Sequence, residues 1–188
     1  MESRRNTVKP HPNLIETLFA YKSRVSAIFN DILGIHHLNH FSIARVDKEQ
    51  TILVFSSTPS IEFNLFTTSL WRFDNTFNPG WFTQCNHALS SSLYNPKRYN
   101  ELYFTRQQKP ELPTAYTIAV ENDGHYIYSI ASGCAFSNPK EWFTNHEDDF
   151  YKMGTYCTNL LIPLFHQATN DDLSIHSDPF VSRAAIGT

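Results

Sequence analysis

Three histidines, His36, His37 and His40, form an HHxxH arrangement. On a helix, His36 and His40 would share a face, as zinc-binding pairs do. Gly34 just before them is a natural helix stop, however, and no glutamate lies inside the motif to act as a base. The spacing therefore predicts histidines in a turn or at a strand edge, a group that responds to pH near about 6 to 7. Two cysteine–histidine pairs invite a thiol nucleophile: Cys85 with His87, and Cys134 with His125. Such catalysis needs a base within hydrogen-bond reach and a third group to orient it. Cys134 follows Ser132-Gly133 at the end of a predicted strand, while His125 opens that strand. At about 3.3 Å per residue the two stand roughly 30 Å apart, so another histidine (His40, His87 or His146) would have to serve. Cys157 belongs to a predicted apolar helix face and is simplest as core. No residue is assigned a catalytic or metal-binding role on this reading, and no cofactor is expected. No GxGxxG or Walker loop is present to cradle a nucleotide.

The densest chemical feature is aromatic: Phe63, Phe66, Trp71, Phe73, Phe77, Trp81 and Phe82. These rings either fill a core or wall an apolar pocket that uses a few polar groups to orient a ligand. The Trp71 indole N–H, Asp74, Tyr116 and Tyr128 are the polar candidates. The expected ligand-binding set is thus Phe63, Phe66, Trp71, Asp74, Trp81, Tyr116 and Tyr128, around an apolar small molecule.

The elements that must position these groups centre on Ala115 to Cys134. Two alternating stretches flank Asn122-Asp123-Gly124, and Asp-Gly tolerates the positive φ of a tight hairpin. Tyr116, Ile118 and Val120 alternate along the first arm, and Tyr126, Tyr128 and Ile130 along the second. An earlier strand pair is predicted at 41–46 and 51–56, joined by the polar turn Asp47-Lys48-Glu49-Gln50. Before it, Asn13 and Glu16 form a capping-box-like start to one amphipathic helix running from Leu14 to Leu33. Between the strand pairs, Ser60 opens a helix through about Trp71 and a second helix is expected over 83–93. Leu102-Tyr103-Phe104 is expected as a short strand, and 107–113, with two prolines, as a loop. A connecting segment this long often forms a lid or pocket wall. Asn145 caps a last helix whose apolar face is Phe150, Met153, Cys157, Leu160, Leu161 and Leu164, with Pro163 near its end.

This order predicts an α+β fold: an antiparallel sheet of about five strands with helices on its faces. The 188 residues are expected to form one domain over 13–168, between a flexible N-terminal tail at 1–12 and a C-terminal tail at 169–188. The apolar share of 41% is globular. The net charge of −3 offers nucleic acid no bulk attraction. Three separated cysteines suit a reducing compartment. No apolar run reaches the roughly 20 residues of a bilayer span, and the first residues lack a signal-peptide core. A cytoplasmic protein is expected, with secretion by a route without a cleaved signal left open.

The 14–33 helix, the stretch GIHHLNHFSIARV leading into TILVFSS, the aromatic segment with Trp71 and Trp81, YTIAVENDGHYIYSIASG and the closing DDFYKMGTYCTNLLIPLF together resemble the GAF and PAS sensory domains. More narrowly, they resemble the N-terminal signal-binding domain of LuxR-type regulators over about 13–167. The resemblance implies a non-enzymatic sensor whose terminal helices support a homodimer or a protein partner in regulation. Trp71 and Asp74 have the chemistry of the tryptophan and aspartate that hold an acyl-homoserine lactone in that family. The family's helix-turn-helix has no counterpart before Thr188, so direct nucleic-acid binding is not implied. The alternatives are a protein-interaction module, such as a secreted effector, and a thiol-dependent hydrolase or transferase using Cys85 or Cys134.

Overall fold

A computed structural model describes residues 8–106, 114–133 and 138–170. The predicted loop at 107–113, Cys134 and the chain beyond 170 lie outside these residues. The sheet is built around the expected hairpin. β5 (Thr114–Asn122) and β6 (His125–Gly133) pair antiparallel, with Asn122 opposite His125. The two turn residues have positive φ, Asp123 at 49° and Gly124 at 75°, as a type I′ turn requires. The earlier pair is β2 (Leu38–Val46) and β3 (Thr51–Ser56), whose turn is closed when the Asp47 carboxylate accepts the Thr51 N–H at 2.7 Å. β2 and β6 join the two ribbons in one antiparallel layer from Leu38↔Gly133 to Val46↔Tyr126.

Two very short strands finish the sheet. β1 (Lys9–Pro10) runs parallel to β3, so order begins within the stretch expected to be a loose tail. β4 (His87–Leu89) pairs antiparallel with β5, inside a stretch expected to be helical. The full order is β1-β3-β2-β6-β5-β4.

Register divides the side chains between two faces. Phe41, Ile43, Phe55, Tyr116, Ile118 and Ser129 point to one; His40, Ser42, Val54, Thr117, Tyr128 and Ile130 point to the other. The first face is covered by α2 (Lys22–Asn30) and α5 (Pro139–Asn170), through Phe29 against Phe41 and Phe165 against Phe55. α5 lies so close to β6 that a Cβ at Gly154 would overlap Ser129 Oγ. The second face is covered by the 59–106 segment, through Phe77 and Phe82 against Tyr128.

Several elements depart from expectation for identifiable reasons. The single N-terminal helix is two, α1 (Leu14–Ala20) and α2, because Tyr21 leaves helical geometry and sets its ring edge-on to Phe55. α3 (Pro59–Thr67) starts on a proline, whose missing N–H costs nothing at a first turn. Leu102 to Phe104 lies in α4 (Tyr99–Arg106), not in a strand. Short 3₁₀ turns fill most of the remainder, opened by side chains: Asp74 accepts the Thr76 N–H, Asn78 that of Gly80, and Asn95 that of Lys97. α5 begins six residues before Asn145, and its irregular residue is His146 (φ −127°); Pro163 does not end it. Among the described residues no helix is long and apolar enough to cross a membrane.

Candidate functional site

A buried polar cluster lies between the sheet and the 59–106 segment. α3 places Glu62 there, fully enclosed, and β2 contributes His40 and Ser42. The turn after the Leu70–Phe73 3₁₀ helix brings Asp74, and α4 brings Arg106. Asp74 Oδ2 accepts from Arg106 Nε at 2.9 Å and from the terminal nitrogen at 2.5 Å, while its Oδ1 accepts the Thr76 N–H at 2.9 Å. The guanidinium lies 5.1 Å from the centre of the Phe77 ring. Burial opposes the Arg106 charge most strongly, but Asp74, Tyr94 and Glu62 together outweigh it and hold the group above its ordinary pKa. Tyr94 is buried beside this pair, and burial raises its phenol well above the usual range.

Glu62 is the second carboxyl of the cluster. His40 Nε2 stands 3.7 Å from one of its oxygens. Burial raises its pKa, against the pull of Arg106 and the nearby Ser56 and Ser42 hydroxyls. A carboxyl whose pKa is higher folded than unfolded keeps its proton longer when folded. Its contribution is therefore full below the unfolded value of 4.5 and is lost as pH rises toward the folded one. Glu62→Gln should flatten the fall in stability as pH rises above the unfolded value and stabilise the upper end by about 1–3 kcal/mol. Urea unfolding across that range checks this; an unchanged pH profile would contradict a protonated Glu62.

The seven expected ligand-binding residues do not all meet. Phe66, Trp71, Asp74 and Tyr128 share the layer under the 59–106 segment: Phe66 stacks with Trp71 and Phe77, and Tyr128 meets Phe77 and Phe82. Phe63 is turned outward against Phe19 of α1. Trp81 is half exposed, at 51%. Tyr116 lies on the opposite face of the sheet and stacks on Phe143 of α5 at 4.3 Å. Parity explains the split: Tyr116 opposes Ala131, whereas Tyr128 opposes Ala119. Sequence reasoning missed Glu62, Arg106, Tyr94 and Ser42. The one signal was Glu62, an acid set between the apolar Ile61 and Phe63.

Spaces of very different size lie on the two faces of the sheet. The cavity beside the polar cluster, lined by His40, Tyr94, Arg106 and Ser132, measures about 10 Å³. That is room for about one water. On the other face an open groove of about 520 Å³ runs between β5–β6 and α5, lined by Ile118, Val120, Ile127, Ile162 and Phe165. Cys134 lies outside the described residues, and neither of the two described thiols forms a nucleophile–base pair with a histidine expected beside it. Cys85 Sγ donates to the His87 backbone carbonyl at 3.2 Å, not to its ring, and burial pushes Cys157 up to about 12. The HHxxH histidines separate: His36 reaches Asp149 of α5 at 2.8 Å, and His40 is buried beside Glu62.

No family model matches the chain, and no curated protein is similar to it in sequence. Among solved structures, the fold is similar to the crystal structure of Escherichia coli SdiA, with a TM-score of 0.58 and 10% identity over 84% of this chain and 70% of that one. It is also similar to SdiA in complex with octanoyl-rac-glycerol, with a TM-score of 0.56 and 12% identity over 80% of this chain. The chain spans 63% of that second structure, less than two thirds of its length. The likeness is one of fold.

Proposed function

We propose that the 13–168 unit is a LuxR-like signal-binding domain, which takes a mostly apolar small molecule with one polar end and acts in regulation without catalysis. The ligand would lie between the sheet and the 59–106 segment. One observation carries this reading. Both Glu62 carboxylate oxygens, Ser42 Oγ, Thr76 Oγ1, Tyr94 OH and Tyr128 OH are buried there without a well-formed hydrogen bond among the described residues. The Ser42 hydroxyl lies near Glu62 without closing such a bond. A buried polar atom without a partner costs about 1–3 kcal/mol, so this layer holds a polar site awaiting a partner. Phe66, Phe77 and Phe82 would supply the apolar walls. Because the cavity beside the cluster is so small, the ligand would enter by moving the 3₁₀ turns of the cover outward. The fold likeness supports the same chemistry: SdiA has been solved with octanoyl-rac-glycerol, an acyl chain on a polar head. The outer face of α5, with Tyr156 and Leu160 exposed, would report occupancy to a second copy or a protein partner.

Thermal unfolding and native mass spectrometry with 1-octanoyl-glycerol test the proposal. At about a hundredfold excess over Kd, a bound ligand adds about 2.7 kcal/mol, a rise of about 5–10 °C in Tm for a chain of this size. Tyr128→Phe removes one unpaired hydroxyl with little change of shape and should weaken binding about tenfold or more. Absence of both adduct and shift would overturn the reading. Binding unaffected by Tyr128→Phe and by Glu62→Gln would move the ligand to the α5-side groove.

A further inference from the structure

We infer that His36, His146 and Asp149 form a binding site for a divalent transition metal, zinc by preference, which clamps the turn before β2 onto α5. One donor atom from each of the three lies within 4.8 Å of the others. A tetrahedral zinc with ligands at about 2.0–2.1 Å separates its donors by about 3.3 Å, so modest side-chain rotation closes the set. Two imidazoles and a carboxylate favour zinc, cobalt, nickel or copper over magnesium or calcium. Three protein ligands leave a fourth position for water. All three side chains are partly exposed, so an ion can enter from solvent.

The backbone singles out two of these residues. His36 has φ 49° and ψ 34°, a left-handed conformation unusual for any residue but glycine, and His37 follows it at φ 61°. Such a residue costs about 1–2 kcal/mol, and this cost is characteristic of functional positions. His146 is the one residue of α5 with non-helical angles. These two departures, distant in sequence, bring the two imidazoles face to face at 3.8 Å between ring centres, inclined by 17°. His36 Nε2 is meanwhile 2.8 Å from Asp149 Oδ2.

The surroundings are built to hold the rings. Trp142 Nε1–H donates to the His36 carbonyl at 3.1 Å and fixes the turn. Phe150, fully buried, sets its ring edge-on to both His36 and His146. Outer contacts of this kind orient metal ligands and raise their affinity. The competing cation is Lys152, whose Nζ stands 3.6 Å from the other Asp149 oxygen. It is largely exposed, and such a surface pair is worth little against a metal. The site lies on the α5 face, apart from the polar cluster under the 59–106 segment, and is independent of any ligand there.

The test uses the full chain, tag removed and chelator-treated, in a Cys85→Ser background so that the exposed Cys85 thiol does not contribute. Calorimetric titration with ZnCl2 should show one ion bound with micromolar affinity, and Co2+ should give a visible d–d absorption displaced by zinc. His36→Ala, His146→Ala and Asp149→Asn should each weaken zinc about tenfold or more, whereas His166→Ala, on the same helix, should not. Zinc should also raise Tm in the Cys85→Ser protein and fail to do so in a folded His146→Gln variant, with folding judged by circular dichroism. No zinc bound at 100-fold molar excess, or equal binding by the His36 and His146 variants, would overturn the site and leave only a stacked imidazole pair beside a carboxylate.

Discussion

Replacing Asp74 with alanine is expected to cost the fold about 3–5 kcal/mol, the range for removing one partner of a buried ion pair. Asp74 is fully enclosed and accepts from two Arg106 nitrogens and from the Thr76 N–H. Without it the guanidinium stays charged, 7% exposed and packed over the Phe77 ring. The pair also ties the turn after the Leu70–Phe73 3₁₀ helix to the end of α4. Its loss should therefore loosen the whole cover over the sheet. Urea unfolding measures the effect, and a change below about 1 kcal/mol would contradict it. Asp74→Leu with Arg106→Met removes both charges and should recover much of the loss, because a well-packed apolar pair can match a buried salt bridge.

Phe150→Ala should cost a similar amount, about 3–5 kcal/mol, for a different reason: the loss is aromatic packing and the cavity left behind. Phe150 is completely buried, 4.8 Å from the Trp142 ring and 5.9 Å from that of Phe143. It joins the first turns of α5 to the turn that carries His36. Phe150→Leu keeps most of the volume and should lose clearly less than the alanine change. Equal losses in the two variants would show that ring shape, and not the cavity, sets the cost.

The parts of the fold legible in the sequence were those governed by a single local rule. Asp123-Gly124 marked its hairpin because few residues other than glycine accept positive φ cheaply. The closing helix was legible from Phe150, Met153, Cys157, Leu161 and Leu164, all buried, whereas Leu160, expected on the same face, is exposed. The 59–106 cover was less legible because apolar periodicity fails where 3₁₀ turns replace helices. Its real signals were Asp74, Asn78 and Asn95, each opening a turn with its own side chain. For the site, aromatic density led to Phe66, Trp71 and Tyr128, which do meet in one layer. The separation of Tyr116 from Tyr128 followed from hairpin parity and could have been counted outward from the turn. The Asp74–Arg106 pair and the His36–His146–Asp149 group could not, since only tertiary packing brings such distant residues together.

The sheet's outer strands have a consequence for how this protein keeps to itself. On one side the exposed ladder is two residues long and carries Pro10, which has no N–H to offer; on the other it is three residues, His87 to Leu89. A neighbouring molecule seeking to add its own strand would find little backbone to grip on these two outermost strands. Strand addition onto these two short strands is thereby disfavoured, which turns attention to the helix surfaces as places for copies to meet.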